Sequence, residues 1–306
     1  MASLAFYATS VVSLLFLKFK WGMRAASLAS VLLLGGMAAL FAYYAAPAFQ
    51  RYGLSLLASA TWNPNAEQYG LLPAIAGTLI TSTIAIAIAM PLAASVAVAL
   101  VEFLPGRLGW FLSSLLDLTA AMPTVIYGLW GRETLGPALA NALNWLGEAL
   151  LHVSLNVPSY TLLAASVLLA VMITPYAAAV IREGYASVPK PIEEAIYSLG
   201  ATRIEAIGLK LRYARSYVAG GFFLALGRAM GETVAVAMVV GSNFVYFTLS
   251  PLSPGTTISA LIASQFSNAA AFPYMTSVLF AAAFLLAVIG LVINGTSLYL
   301  LRRWQS

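Results

Sequence analysis

Long apolar stretches separated by short polar ones run the whole length of the chain. Six of them, at about 25–46, 72–101, 108–131, 159–181, 217–242 and 274–301, are long enough to be membrane spans, since at about 1.5 Å per residue each can cross a hydrocarbon core of roughly 30 Å. The second and sixth exceed what a perpendicular crossing needs, so they should tilt or extend beyond the bilayer. A further apolar run, MASLAFYATSVVSLLFL, occupies residues 1–17 ahead of Lys18 and Lys20. No basic segment precedes it and no A-x-A site follows, so it reads as a retained segment, either a short interfacial helix or an extra span. The pattern divides the chain into an N-terminal cytoplasmic or interfacial segment, 1–24, and one transmembrane domain, 25–306.

The connections carry their own periodicities. TWNPN, residues 61–65, is rich in turn formers, whereas ALANALNWLGEALLHV, residues 138–153, repeats Leu139, Leu143, Leu146, Leu150 and Val153 at helical spacing. That single apolar stripe suits a helix lying at the outer interface, with the sole histidine, His152, as an interfacial side chain at its end. Pro91, Pro123 and Pro175 fall inside spans two, three and four. Each removes a backbone hydrogen bond and bends its helix, either as packing geometry or as a flexible point in a pore.

The longest inner connection, 182–216, has the grammar of two short helices. Pro191 suits a first helical turn, Glu193 and Glu194 sit where the helix dipole favours negative charge, and Gly200 can close the helix in the left-handed region. Thr202 and Glu205 then form a capping box, and Ile204, Ile207 and Leu211 recur along one face of the second helix. Helix connections usually take two to eight residues, so this elbow is longer than chain reversal requires and should dock something.

Composition sharpens the assignment. Of 306 residues, 61% are hydrophobic and only 8% charged, which excludes an ordinary soluble domain. There is no cysteine, so disulfide scaffolds and thiolate chemistry are excluded. The net charge of +5 is topological: apart from Arg51, Arg132 and Arg228, every Lys and Arg falls on one side of the predicted spans. The positive-inside rule therefore places the elbow, the C-terminus and the start of span one in the cytoplasm, in an inner or plasma membrane, and makes nucleic acid an improbable partner beside the lipid bilayer.

Against this background the stretch GRAMGET, residues 227–233, is anomalous. Arg228 lies about 17 Å into span five and Glu232 about 6 Å deeper. Asp117 sits about 14 Å into span three from the same side, within reach of Arg228 across a helix interface. A charge at such depth costs on the order of 2.5–3.5 kcal/mol on insertion scales. The three groups read either as a buried network that fixes helix register or as an anion path, in which flanking acids keep a guanidinium from trapping its ligand.

These stretches resemble known sequences. E-A-I-x-x-x-G, at Glu194, Ala195, Ile196 and Gly200, is similar to the EAA loop of ABC importer permeases, although Ile196 replaces an alanine and Arg212-Tyr213 stands where Leu-Pro is usual. GRAMGET with the following VAVAMVVGSN, YGLLPAIAGTLITS at 69–82 and PTVIYGLWG at 123–131 resemble phosphate-specific ABC permeases, the last being closer to the PstC-type subunit than to its PstA-type partner. The resemblance implies an all-α membrane protein with the six-helix core of a type I importer permease. It also implies a second homologous permease, two copies of a cytoplasmic ATP-binding subunit and an extracytoplasmic phosphate-binding protein. Arg228 and Glu232 would serve phosphate passage, and Glu193, Glu194, Ala195 and Gly200 the coupling to the ATPase; Asp117 is added from its depth alone. No cofactor, metal or catalytic residue is expected, because no G-x-x-x-x-G-K-[ST] loop occurs. Permeation of another oxyanion (molybdate, tungstate, sulfate), ion-coupled secondary transport, and an intramembrane acid–base enzyme using Asp117 and Glu232 are the competing readings.

Overall fold

The computed structural model describes residues 2–104, 106–244 and 247–305. It is helical almost throughout. Helix α1 is Ala2–Tyr52, and the short α2 is Ser55–Ala58. Strands β1, Trp62–Asn63, and β2, Gln68–Tyr69, pair as an antiparallel hairpin. Asn63 and Pro64 make its turn, with the Asn63 side-chain oxygen accepting from the Ala66 N–H, as the turn-rich TWNPN leads one to expect. The chain then runs through α3, Leu72–Val98, whose last turn widens to π-helix over Ala99–Phe103. There follow α4, Arg107–Ala121, α5, Thr124–Trp130, a second π-helical turn over Gly131–Leu135, and α6, Gly136–Leu151. Next are α7, Leu162–Ala186, and the elbow helices α8, Lys190–Ser198, and α9, Arg203–Tyr213. The chain ends with α10, Arg215–Gly231, α11, Val234–Val239, α12, Ile258–Gln265, and α13, Met275–Gln305.

Among the described residues four helices are long and apolar enough to cross a bilayer: Phe19–Tyr52, Leu72–Phe103, Leu162–Ala186 and Met275–Leu300. A fifth crossing results if Arg107–Ala121 and Thr124–Leu150, bent by 91° against each other, count as one. Two of the six expected spans are thus not continuous helices. Expected span three breaks at Met122, which is extended (ψ 139°) because a residue before proline is driven out of the helical region. Expected span five stops at Gly231, where Glu232 is extended (ψ 129°) before α11 begins. By contrast, α3 and α7 run on through Pro91 and Pro175. The placement expected for residues 1–17, at the interface or across the membrane, lies outside the residues whose side chains are described; the backbone of α1 continues through residues 24 and 25 without a break.

Helix α7 is the hub. Ala165, Ala170, Ala177 and Ala178 on α7, Ala85, Ala89 and Ala93 on α3, and Ala225 and Ala229 on α10 form one buried cluster. Small side chains let these backbones approach closely, which is how helices associate where lipid removes the usual hydrophobic drive. A second cluster joins α1, the hairpin, α12 and α13 through Trp62, Tyr69, Leu261 and Leu279. There the Tyr69 hydroxyl donates to the Pro273 carbonyl at 2.8 Å, and Tyr44 stacks on Phe280 with ring centroids 4.9 Å apart.

Gly77 on α3 shows how tight this packing is, since a Cβ there would lie 1.9 Å from the Thr256 backbone carbonyl. Gly77→Ala should lower the melting temperature of the purified protein sharply, because neither backbone can yield. Gly35→Ala, on a face of α1 with nothing within 4 Å of an added Cβ, should leave it equal or slightly higher. Fluorescence-detected size exclusion after heating reads both.

Candidate functional site

The break at Pro123 sets up the first part of the site. In an unbroken helix the carbonyls of Thr119 and Ala120 would accept from residues 123 and 124, but Pro123 has no N–H and the helix turns away. Two tyrosines use the freed acceptors. The Tyr127 hydroxyl donates to the Thr119 carbonyl at 2.9 Å, and the Tyr176 hydroxyl donates to the Ala120 carbonyl. Tyr127 belongs to the YGLWG stretch, whose Gly128 lets α5 lie on α11: a Cβ there would fall 2.7 Å from Met238 Sδ and 3.1 Å from Ala235 Cα.

Held in this way, the Tyr176 ring receives Arg228, whose guanidinium carbon stands 4.1 Å from the ring centroid. A cation–π contact of this kind is worth about 2 kcal/mol when desolvated. Arg228 is half-buried, and its Nε is buried without a hydrogen-bond partner. Among the described residues no ion pair joins Arg228 to Glu232 or to Asp117, which corrects the expected trio. Glu232 leaves the Arg228 face because α10 ends one residue before it. Its carboxylate turns forward to accept from the Ala235 N–H at 3.4 Å, and its carbonyl accepts from the Ser259 hydroxyl at 2.7 Å. Asp117 is exposed and pairs with Arg182 on α7 at 3.4 Å, and Arg182 in turn buries one unpartnered nitrogen, Nη1. A guanidinium seam therefore runs along α7, with Arg228 of α10 over Tyr176 and Arg182 of α7 beside Asp117 of α4, and each of the two groups has an unused buried nitrogen.

The second part is the elbow. Its helices follow the expected signals: Pro191 lies in the first turn of α8, Gly200 takes φ +80°, and Thr202 and Glu205 close a reciprocal capping box. The Thr202 N–H donates to the Glu205 carboxylate at 2.8 Å, and the Thr202 backbone and hydroxyl together hold that carboxyl below its ordinary pKa. Glu194, Ala195 and Gly200 are exposed, as are Leu199 (88%) and Ile204 (83%). Ile204 thus departs from Ile207 and Leu211, with which it was expected to share one face; those two flank the inward face, made of Ala206, Lys210 and Ala214. Glu193 does not point outward beside Glu194 either.

Glu193 instead joins a clamp. Lys210, with 6% of its side chain exposed, donates to Glu102 at 2.5 Å and to Glu193 at 2.9 Å, while the Tyr185 hydroxyl donates to Glu102 at 2.6 Å. Burial draws the Lys210 pKa down, but its hydrogen bonds to Glu102 and Glu193 outweigh burial and leave it above the ordinary lysine value. Arg203 adds a hydrogen bond to the Glu102 carbonyl at 2.8 Å and lies over the Phe103 ring at 4.1 Å. The ends of α3 and α7 therefore grip both elbow helices.

Comparison with known proteins places both parts within one family. Residues 89–306 match the binding-protein-dependent transport system inner membrane component. The chain is 42% identical over 284 residues to a probable phosphate transport system permease protein PstC of Methanocaldococcus jannaschii, covering 90% of this chain and 89% of that protein. It is 38% identical over 289 residues to the phosphate transport system permease protein PstC of Mesorhizobium japonicum, with 92% and 88% covered. The Xylella fastidiosa PstC (strain Temecula1) is 39% identical over 234 residues, 72% of this chain and 71% of its own. The chain belongs to this family, as a PstC-type permease. It is a multi-pass membrane protein, and both the guanidinium seam and the elbow lie within the matched residues.

Neither Tyr176 nor the clamp was found from the permease sequence. Tyr176 looked like one aromatic residue among many, and Lys210 like one more member of the basic, solvent-facing side. The available signal for Lys210 was its spacing: it falls four residues after Ala206 and four before Ala214, on the face that packs inward. Lys210→Met should leave two acids facing each other without their cation. Removing one partner of such a buried pair costs about 3 kcal/mol, so amide exchange in α8 and α9 should accelerate while exchange in α7 stays unchanged. Because the Lys210 pKa is raised, the lysine's contribution to the clamp, while both carboxylates are ionised, is fully present below about 10.5 and should be lost in the wild type as pH rises through the higher folded-state value.

Proposed function

We propose that this chain is the membrane permease subunit of an ATP-driven importer of inorganic phosphate. It forms the anion path with a second, homologous permease, takes substrate from an extracytoplasmic binding protein, and couples to two copies of a cytoplasmic ATPase. The observation that carries this reading is Arg228: a half-buried guanidinium deep in an apolar segment, held by an aromatic face instead of a carboxylate. A buried arginine locked in an ion pair has little to offer a passing anion. One held by a ring of weaker attraction keeps donors for an oxyanion and releases it again.

In this reading phosphate meets Arg228, with Glu232 at the helix break limiting how long the anion stays. Asp117 enters through Arg182, whose charge it tempers on the elbow side of the seam. The elbow faces the cytoplasm, and Glu194, Ala195 and Gly200 form the surface that meets the ATPase, together with Leu199 and Ile204. Glu193 serves coupling from the inside, through the clamp. Guanidinium chemistry would serve sulfate or molybdate equally well, and it is the PstC relatives that favour phosphate. The chain itself carries no ATPase site in this scheme.

Arg228→Gln should assemble with its partners and lose phosphate uptake by about thirtyfold, the equivalent of one charge-assisted hydrogen bond of about 2 kcal/mol. Uptake into vesicles supplied with ATP but no ion gradient measures it, and wild-type uptake by the variant would reject the path. Glu194→Lys should insert normally but fail to retain the ATPase on co-purification; full retention with full uptake would reject the docking surface.

A further inference from the structure

A cavity of about 550 Å³ lies between the π-helical end of α3, the first turns of α4 and the last turns of α7. Gly106, Trp110 and Ser113 line it from α4, at the spacing of one helical face that continues to Asp117. Arg182 and Glu183 line it from α7, and Arg182 is the one cation among the described lining residues. Arg182 thus touches both the cavity and Asp117, and its hold on Asp117 is loose. Nη2 lies 3.4 Å from Oδ1 and 3.5 Å from Oδ2, against about 2.7–2.9 Å for a full charge-assisted hydrogen bond. In the elbow clamp, by contrast, Lys210 closes on Glu193 at 2.9 Å. Nη1 of Arg182 is buried with no hydrogen-bond partner. A guanidinium that only pinned α4 to α7 would spend its fork of donors on the carboxylate, whereas this one keeps a buried donor in reserve beside a cavity. Asp117 also comes three residues before Ala120, whose carbonyl holds the Tyr176 ring, so Arg182 is anchored about 4.5 Å nearer the start of α4 than the ring that carries Arg228.

We propose that Arg182 is a second contact for the transported oxyanion, on the cytoplasmic side of Arg228, and that the cavity between α4 and α7 is the vestibule into which the anion passes. On the reading of the chain as an anion permease with its elbow in the cytoplasm, on which this rests, Arg182 adds a station to the path. The oxyanion is taken by Nη1 and Nη2 in place of the Asp117 carboxylate, so Arg182 gives up one acid as it accepts another. The net gain is small, which is what a station that must also release its cargo requires. Arg228 meets the anion with donors already free, whereas Arg182 meets it by exchange and holds it less firmly. Glu183, exposed and one residue nearer the elbow, adds a negative charge to the vestibule that keeps the anion from settling there.

The chain has no cysteine, so Ser113→Cys places a single thiol in this subunit, on the vestibule wall. Carrying a trifluoromethyl label, it is read by fluorine NMR in the transporter assembled with its partner subunits in phosphatidylcholine nanodiscs, with the complex lacking the substitution as the blank. Inorganic phosphate should shift the label saturably, and chloride at matched ionic strength should not. Arg182→Gln should raise the half-saturating phosphate concentration at least about tenfold, the equivalent of one charge-assisted hydrogen bond, and Arg182→Lys should recover part of that loss. Asp117→Asn, which removes the competing carboxylate, should lower the half-saturating concentration by up to about fivefold. A pair that merely braces the helices predicts the reverse, since breaking it from either side would loosen the site alike. Equal titrations in wild type and Arg182→Gln, weaker binding in Asp117→Asn, or no saturable response in the wild type would each overturn the proposal. So would a shift produced by phosphatidylglycerol in the disc and not by inorganic phosphate, which would make a lipid headgroup the occupant. In Arg228→Gln the response at position 113 should persist, and its loss there would overturn a separate station. The titration needs no uptake: wild-type uptake by Arg228→Gln would reject the Arg228 path and leave this contact standing, whereas an absent response beside a transport-dead Arg228→Gln would reject this contact alone.

Discussion

The hydrocarbon core offers no water to a backbone group that has lost its helical partner, and this constraint organises the interior of the permease. Each time a helix breaks at depth, something must take over the hydrogen bonds. At Pro123 the takers are tyrosine hydroxyls, from Tyr127 and Tyr176, with the Met122 N–H also donating to the Thr119 carbonyl at 3.3 Å. At Glu232 they are the residue's own carboxylate and the Ser259 hydroxyl. The consequence for function is that the first repair fixes the ring on which Arg228 rests. A helix break that looks like local punctuation thus positions a cation on a different helix.

That arrangement bears on why Arg228 is tolerated at all. Three ways exist to keep a guanidinium in an apolar segment: neutralise it, let it reach the interface, or give it a polarisable face. Arg182 takes the first way with Asp117 and lies near the end of α7. Arg228 takes the third. Stacking leaves the edge of the guanidinium, where all its donors lie, unspent in a way that a bidentate carboxylate pair would not. The difference between the two arginines is therefore a difference in what remains available to an incoming anion.

How much of this was legible in the sequence depended on the range of the interaction. The elbow was readable because caps and turn residues act within four positions: Thr202 with Glu205, and Gly200 at φ +80°. The apolar stretches were readable because length against bilayer thickness needs no partner. The breaks at Met122 and Glu232 were missed because hydrophobicity continues across them and only the backbone changes. Pro91, Pro123 and Pro175 look alike in sequence, yet only Pro123 ends its helix, while α3 runs on through an exposed Pro91 and α7 through a buried Pro175. Asp117 was assigned to Arg228 from depth alone, and depth does not fix which way a residue faces around its helix. Lys210 was hidden for a related reason: its partner Glu102 is 108 positions away, and a lysine on a basic surface gives no sign of being buried.

The clamp also has a mechanical consequence. An elbow held to its membrane helices by chain connectivity alone would bend when pushed, because the link between α8 and α9 is exposed and that between α7 and α8 contributes only Val188 to the core. Lys210 ties Glu193 on α8 to Glu102 on α3, and Arg203 ties α9 to the same turn. A displacement of the elbow must therefore move the end of α3 with it. Helix α3 packs along α7, and α7 carries Tyr176. The two parts of the site, marked by Tyr176 and Tyr185 about 14 Å apart along α7, are in this way joined through ion pairs and close alanine packing; in the proposed coupling role, a push on Glu194 would reach the ring beneath Arg228 as movement of whole helices instead of loss of local structure.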